Sequence, residues 1–575
     1  MAVVHTAQVE LPRERARLFQ RCVDVLLRRW HQHKVGDVPL LNRLGVTESQ
    51  LLAALWHVAY EALERSGATE GDLPRSYVLR TMAGHLGQSY AKAEEFLDYV
   101  DTRSGLLIGR GGAAAQEPVY TFPHRMIQEY LAGCHLALGG RSFGRRLRGL
   151  LCAGDRWAPA ARLGAEHLVY NVGDVTEVLD AAYTLCPVTE PDVEANWRGV
   201  LWAGLFAAEV GQQRIAEDVE APDGGVSFLD RLTVRLVRTL QEERLPVLER
   251  VQAGNVLAQL GDPRFRTDLW YLPANDWLGF VEAPAGTFRM GTKKGEIARL
   301  RKRFGGERRW YEDEVEQHEL NLPAFYIARY PTTVAQFQAF VDAKGYAVER
   351  YWAEARAAGF WREGQTKRRS LRLEGEKVEQ VEEWSDRPER YGGVFDLPNH
   401  PQVGLSWYEA LAYGRWLTDA LRQDERTPEP LRTLLRERDW AVMLPSEAQW
   451  EKAARSTDGR LFPWGDDPDP NRANYADTQI GATSAVGCFP GGASPCGALD
   501  MAGNVWQWTR SLYQGYPYDP TDGRESLDGS GPRVVRGGSF GNRGSGVRCA
   551  YRFRYDPDYW YWSFGFRVVV CPGPL

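Results

Sequence analysis

From about residue 12 to residue 265, apolar residues recur at the three-to-four spacing of amphipathic helices, and there the pattern stops. Leu18, Phe19, Val23, Leu26, Leu27 and Trp30 make one such face, and LLAALWHVAYEALERSG, YAKAEEFLDYV and RMIQEYLAGCHLAL carry others. The run SGLLIGRGG followed by PVYTF predicts a β-hairpin among them. Helices with one hairpin predict a winged-helix-like region over 1–145, and renewed helical periodicity predicts a connector over 146–265 ending in RVQAGNVLAQLGDPRF. Pro and Asn mark 266–278 as a linker, and 279–575 has a different, Trp-, Tyr- and Gly-rich composition. A chain of 575 residues exceeds what one core organises. The expected fold class is therefore α+β and multidomain: an all-α N-terminal half, winged-helix-like or a helical bundle, followed by a second domain.

The sequence excludes several function classes. A net charge of -6 gives no general attraction to nucleic acid. The first residues contain Glu10 and Glu14 and no apolar h-region, and the longest apolar run, Val200 to Val210, includes Glu209 and is too short to span a bilayer. The expectation is a cytoplasmic protein with neither membrane nor nucleic-acid partner. Eight cysteines without a CxxC pair suggest no zinc site or disulfide framework. Cys488 and Cys496 could bridge a loop, and in a reducing cytosol are expected to stay unpaired. No Gly-Lys dipeptide occurs, so a phosphate-cradling loop is missing from this sequence and any NTPase module must lie on a partner or on a lost upstream segment. His124 reads as a helix-packing histidine. Two Arg-rich stretches, 293–317 and 351–395, read as solvated surface loops.

TFPHRMIQEYLAG, with Phe122, His124, Gln128, Glu129 and Tyr130, and LFQRCVDVLLRRW resemble the helical region that follows the NTPase core of NACHT-type signalling ATPases. Further on, FVEAPAGTFRMG, FYIARYPTTVAQFQAFV, HPQVGLSWYEALAYGRWL, MLPSEAQWEKAAR, FPWG, GALDMAGNVWQWT, RVVRGGSF and FGFRVV follow in order. This series resembles the formylglycine-generating-enzyme (sulfatase-modifying-factor) family over nearly all of 279–570. The resemblance implies a C-type-lectin-like fold. Two helices are legible without it. In LPSEAQWEKAAR, Ser446 and Gln449 form a capping box and Trp450, Ala453 and Ala454 an inner face, while SWYEALAYGRWLTDAL offers Trp407, Leu411, Ala412 and Trp416.

The family's catalysis implies a cysteine pair that binds copper and activates oxygen. Cys549 falls at the second position and Gly544 at the first. One thiolate does not supply a two-sulfur copper site. The chain is therefore expected not to be an enzyme, and Cys549 to be a small buried residue. The family also implies structural calcium, for which LDMAGNVWQWT offers Asp500, Gly503, Val505 and Gln507, with Gln507 where relatives carry Glu. Loss of that carboxylate weakens a hard-oxygen site. Calcium stays an option and no cofactor is required.

The segment 536–567 decides the functional reading. Arg536, Gly537, Gly538, Arg548, Arg552, Pro557, Asp558, Gly565, Phe566 and Arg567 look like scaffold, but YWYW neither alternates nor contains an aliphatic residue. Tyr and Trp among Gly and Ser make a paratope-like composition. The arrangement resembles the variable proteins of diversity-generating retroelements, in which adenine-templated mutagenesis alters chosen codons of a lectin-like domain. The display positions so implied are Gly541, Asn542, Arg543, Ser545, Gly546, Tyr551, Phe553, Arg554, Tyr555, Tyr559, Trp560, Tyr561, Trp562 and Ser563. Trp560 and Trp562 depart from the pattern, since Trp is not reached from an AAC codon. The expected function is binding of a protein or glycan ligand, with the helical half coupling to an NTPase-bearing partner. The alternatives are a copper-dependent oxidoreductase of the formylglycine-generating type, or a structural scaffold with its aromatics buried.

Overall fold

A computed structural model describes residues 14–28, 40–66, 72–111, 117–138, 142–374 and 377–572, with side chains 369–380 also outside the description. Trp30 and the first thirteen residues lie outside the described residues. The chain divides into two compact units, Met1–Arg235 and Leu236–Leu575.

The first unit is helical with one small sheet. Helices Glu48–Arg65, Arg75–His85, Tyr90–Tyr99 and Arg125–Leu138 surround an antiparallel sheet of Leu73–Pro74, Val119–Thr121 and Ile108–Arg110, in that spatial order. The expected hairpin is the Ile108–Arg110/Val119–Thr121 pair, and a third short strand completes the winged-helix pattern. Thr47 starts the first of these helices with a capping box on Gln50. Gly133 sets the approach of Arg125–Leu138 to Ala158–His167. A Cβ there would lie 2.4 Å from the Ala160 carbonyl oxygen, so only glycine permits this packing. His124 is exposed, not packed as expected: it precedes the helix Arg125–Leu138, and its carbonyl accepts from Ile127 and Gln128 of the first turn.

The second unit contains two four-stranded sheets. We label β1 (Phe280–Ala283), β2 (Phe325–Ala328), β3 (Trp440–Met443), β4 (Trp506–Leu512), β5 (Arg533–Arg536), β6 (Arg552–Tyr555), β7 (Phe564–Phe566) and β8 (Val569–Pro572). One sheet has the order β3-β8-β2-β1, all antiparallel; the other has β6-β5-β4-β7, with β4 and β7 parallel. Helices Trp407–Gln423 and Glu447–Arg455 begin at Ser406 and Ser446, both with capping boxes, and bury the faces read from sequence.

Two expectations about organisation are corrected. The helix Val247–Leu260 belongs to the second unit: Asn399 donates to the Gly254 carbonyl at 3.0 Å, and His400 meets Asn255 at 2.9 Å. The stretch 266–278 is packed chain, because Leu269, Leu272 and Leu278 enter the main apolar core. The two Arg-rich stretches are also built. Ile297–Phe304 and Arg308–Glu312 are helices seated by buried Ile297, Leu300 and Tyr311, and Gln365–Glu374 pairs with Lys377–Ser385 in a long hairpin.

Candidate functional site

The order of the second sheet explains the C-terminal segment. β6 and β7 are its two edges, so residues 556–563 must cross the ends of β5 and β4. Three strand spacings amount to about 14 Å. The crossing is pinned by its backbone: the Trp407 N–H donates to the Pro557 carbonyl at 3.0 Å, Gly404 N–H to Tyr561 at 3.1 Å, and Trp506 N–H to Ser563 at 2.8 Å. Between these anchors Asp558 and Trp560 are buried, while the adjacent Tyr561 and Trp562 are both exposed before Ser563 is buried again.

That pinning sorts the display positions. Gly541, Arg543, Arg554, Tyr561 and Trp562 are exposed, and Asn542, Phe553, Tyr555 and Tyr559 are half-buried. Ser545, Gly546, Tyr551, Trp560 and Ser563 are buried and do not display, a correction to the sequence reading. Trp560 is 1 % exposed, beneath the Arg368 guanidinium, which lies 5.1 Å from its ring centre. Tyr551 packs between Trp310 and Trp506 at 6.5 and 5.8 Å. Gly546 and Ser545 lie in the turn Gly544–Val547, whose carbonyl at Ser545 is held by Arg548. Arg554 is exposed on the other face of β6 from Phe553 and Tyr555, over the Tyr513 ring at 4.1 Å. Trp562, 39 % exposed, is the only exposed tryptophan among the described residues, with Tyr561 beside it at 37 %.

The rings form a continuous ribbon. Tyr555 stacks on Tyr559 at 4.8 Å and touches Phe564 at 4.5 Å, and Tyr561 follows at 6.3 Å from Phe564. Burial, then the neighbouring tyrosines, push the Tyr559 hydroxyl up to about 12, so the ribbon is uncharged at neutral pH. Beneath it lies a buried ionic frame. Glu447 receives Arg552 at 2.6 and 2.7 Å and Arg536 at 3.3 Å, and Glu314 receives Arg548 at 2.8 Å. Burial of both partners makes these pairs geometric anchors for the loop. Sequence reasoning missed Glu314, which sits inside a charged run with nothing to set it apart.

The residues do not fit the metals that the resemblance implies. Cys549 lies in an apolar cluster with Trp450, Ala453 and Met501, and burial pushes its thiol up to about 12. Gly544 provides no second sulfur. At the calcium motif, the Gln507 carboxamide oxygen accepts from Trp450 at 2.7 Å and Arg567 at 2.6 Å, while its nitrogen donates to the Asp500 carbonyl at 2.7 Å. Arg567 also donates to that carbonyl, at 3.0 Å, and the Asp500 carboxylate accepts from the Gly487 N–H at 2.9 Å. Gly503 and Val505 stand beside this network, in which a carboxamide saturated by Trp450, Arg567 and the Asp500 carbonyl takes the place of the carboxylate that the resemblance implies. Burial raises the Asp500 carboxyl.

A family model for the sulfatase-modifying factor enzyme 1-like domain matches residues 272–571, just over half of the chain. The chain belongs to this family. A second model, the winged helix-turn-helix domain C-terminal to NACHT, matches residues 15–136. Among curated relatives of the sulfatase-modifying-factor domain is the hercynine oxygenase of Mycolicibacterium thermoresistibile, 30% identical over 258 residues, which are 42% of this chain and 49% of the relative. Another is the formylglycine-generating enzyme of Bos taurus, 27% identical over 318 residues, 50% of this chain and 74% of the relative. The chain spans about half the length of the first of these relatives. Similar solved structures include PvdO from Pseudomonas aeruginosa (22% identity, TM-score 0.36, 51% of this chain and 93% of that one) and Treponema denticola variable protein 1 (18%, 0.34, 51% and 95%). The expectation that the protein is not an enzyme is overturned by the relatives of its domain, which carry the names of enzymes at about 30% identity or less. Among the described residues, no helix is long and apolar enough to cross a membrane.

Proposed function

We propose that the lectin-like unit binds a protein or glycan ligand through the surface centred on Tyr561 and Trp562. One observation carries the reading: among the described residues of this unit only Tyr271 is an exposed aromatic besides these two, and these two are adjacent on a loop anchored at both ends. Rigid exposed Tyr and Trp give large contact area at low entropic cost. The reading extends to a variable surface made of the exposed or half-buried positions Gly541, Asn542, Arg543, Phe553, Tyr555, Tyr559, Tyr561 and Trp562, with Arg554 left outside it on the opposite face of β6. The winged-helix unit would couple binding to an NTPase-bearing partner, for which the NACHT-associated family match is the support. Eight free cysteines accord with a cytoplasmic setting. Sequencing this locus in closely related isolates tests the variable surface: changes should concentrate at those eight positions, and an even spread along the domain would refute it.

A second reading, catalysis by the same domain, is favoured by the names of its relatives. It requires chemistry other than a Cys549 copper pair. Copper-dependent oxygen consumption with a cysteine-containing peptide, abolished in Cys549→Ser, would contradict that requirement.

A further inference from the structure

The surface around Trp562 is not made by the C-terminal loop alone. Phe395, which follows the long hairpin, has its ring 5.7 Å from Trp562 and 5.9 Å from Phe540, and Tyr391 lies 6.0 Å from Phe395. Gly404 joins the two segments through its backbone. Its N–H donates to the Tyr561 carbonyl at 3.1 Å; its own carbonyl accepts from the Glu389 N–H at 2.9 Å and from Arg368 at 3.1 Å. At φ +72° a Cβ on this residue would lie 2.8 Å from the Glu389 carbonyl oxygen and 3.0 Å from the Tyr391 ring. Hairpin and loop are thus held by one glycine, and the rings of both form one patch.

The charges bordering that patch are matched among themselves. Arg390 pairs with Asp396 at 3.3 Å, Arg387 with Asp386 at 2.9 Å and Arg368 with Glu383 at 3.0 Å. On the side of Phe395 and Tyr391 a polyanion or a charged glycan would have to break one of these pairs to find a cation; the exposed Arg543 lies on the loop side, three residues from Phe540. A neutral apolar group finds three rings, and double-sided aromatic packing is where binding energy concentrates at protein interfaces.

We infer that Phe395 and Tyr391 form a fixed second wall of the binding surface, and that the ligand is a protein segment inserting an uncharged apolar or aromatic side chain against Trp562. This rests on the binding reading above and adds to it the wall and the ligand class. The wall is invariant frame, and only the loop facing it belongs to the variable positions.

The test is selection of a phage-displayed random peptide library on the full-length chain, with selected clones re-measured on Phe395→Ala, Tyr391→Ala, Trp562→Ala and Arg554→Ala. The expected clones carry apolar or aromatic anchors and bind with little dependence on salt. They weaken about tenfold or more on both Phe395→Ala and Trp562→Ala, and hold on Arg554→Ala, which lies on the other face of β6. Clones lost on Trp562→Ala but indifferent to both wall variants overturn the second wall and leave the binding reading standing. If no clone depends on Trp562, or binding appears only on a parallel glycan array, the protein-ligand assignment falls. Thermal unfolding of each variant, expected near wild type because both wall rings are only half-buried, separates lost contact from lost fold.

Discussion

Removing Glu314 should destabilise the second unit strongly, although it lies in a stretch that reads as a charged surface loop. The carboxylate is fully buried, accepts from Arg548 through both oxygens, and also accepts the Thr292 hydroxyl at 2.7 Å. Glu314→Ala leaves a guanidinium 1 % exposed with no carboxylate. Breaking a buried pair on one side costs about 3–5 kcal/mol, and the orphaned hydroxyl adds about 1 kcal/mol. Glu314→Gln keeps an acceptor but loses the charge, and should fall between. The double variant Glu314→Leu/Arg548→Met removes both charges and should recover most of the loss. The assay is denaturant unfolding followed by tryptophan fluorescence, reading the transition of the second unit. A loss under about 1 kcal/mol for Glu314→Ala, or a double variant as unstable as the two single losses summed, would refute the pair as the anchor of 293–317.

Three further outcomes follow from the same geometry. With its thiol at about 12, Cys549 should resist alkylation at pH 8, where only about one thiol in ten thousand is ionised, while exposed Cys152 reacts; mass spectrometry before and after unfolding checks both. Burial holds His400 down at about 3, so the unfolded chain takes up a proton below about pH 6.5 that the folded chain refuses. Stability should therefore fall with pH by about 1.4 kcal/mol per unit in that window, and His400→Gln should remove that share in paired titrations of unfolding. Gly404→Ala should lower the stability of the second unit by about 1–3 kcal/mol, through its positive φ and the crowded Glu389 carbonyl, and blue- or red-shift the emission of the nearby tryptophans; unchanged stability and spectrum would contradict the joint it forms.

Much of this architecture is legible in the sequence because it follows period and punctuation. The capping box at Ser446, the inner face of Trp407–Gln423 and the winged-helix hairpin each leave a local signature. The site is only half legible. Trp560 and Trp562 are the same residue type two positions apart, one buried and one exposed, on a crossing whose direction is set by backbone bonds to Gly404, Trp407 and Trp506, distant in the chain. Nor does periodicity report a buried carboxylate such as Glu314, or the aromatic wall at Phe395, because both depend on which segments meet. Leu269, Leu272 and Leu278 were hidden for the opposite reason: Pro and Asn between them imitate a linker.

Ligand binding by the exposed rings is measured most directly on arrays. Wild-type chain and the Tyr561→Ala/Trp562→Ala variant should be compared on matched protein and glycan arrays, with Arg554→Ala alongside. A discrete set of bound ligands is expected for wild type and Arg554→Ala, weakened about a hundredfold or more in the double variant, whose unfolding midpoint stays near wild type. The same ligands bound equally by all three chains would contradict binding by these rings.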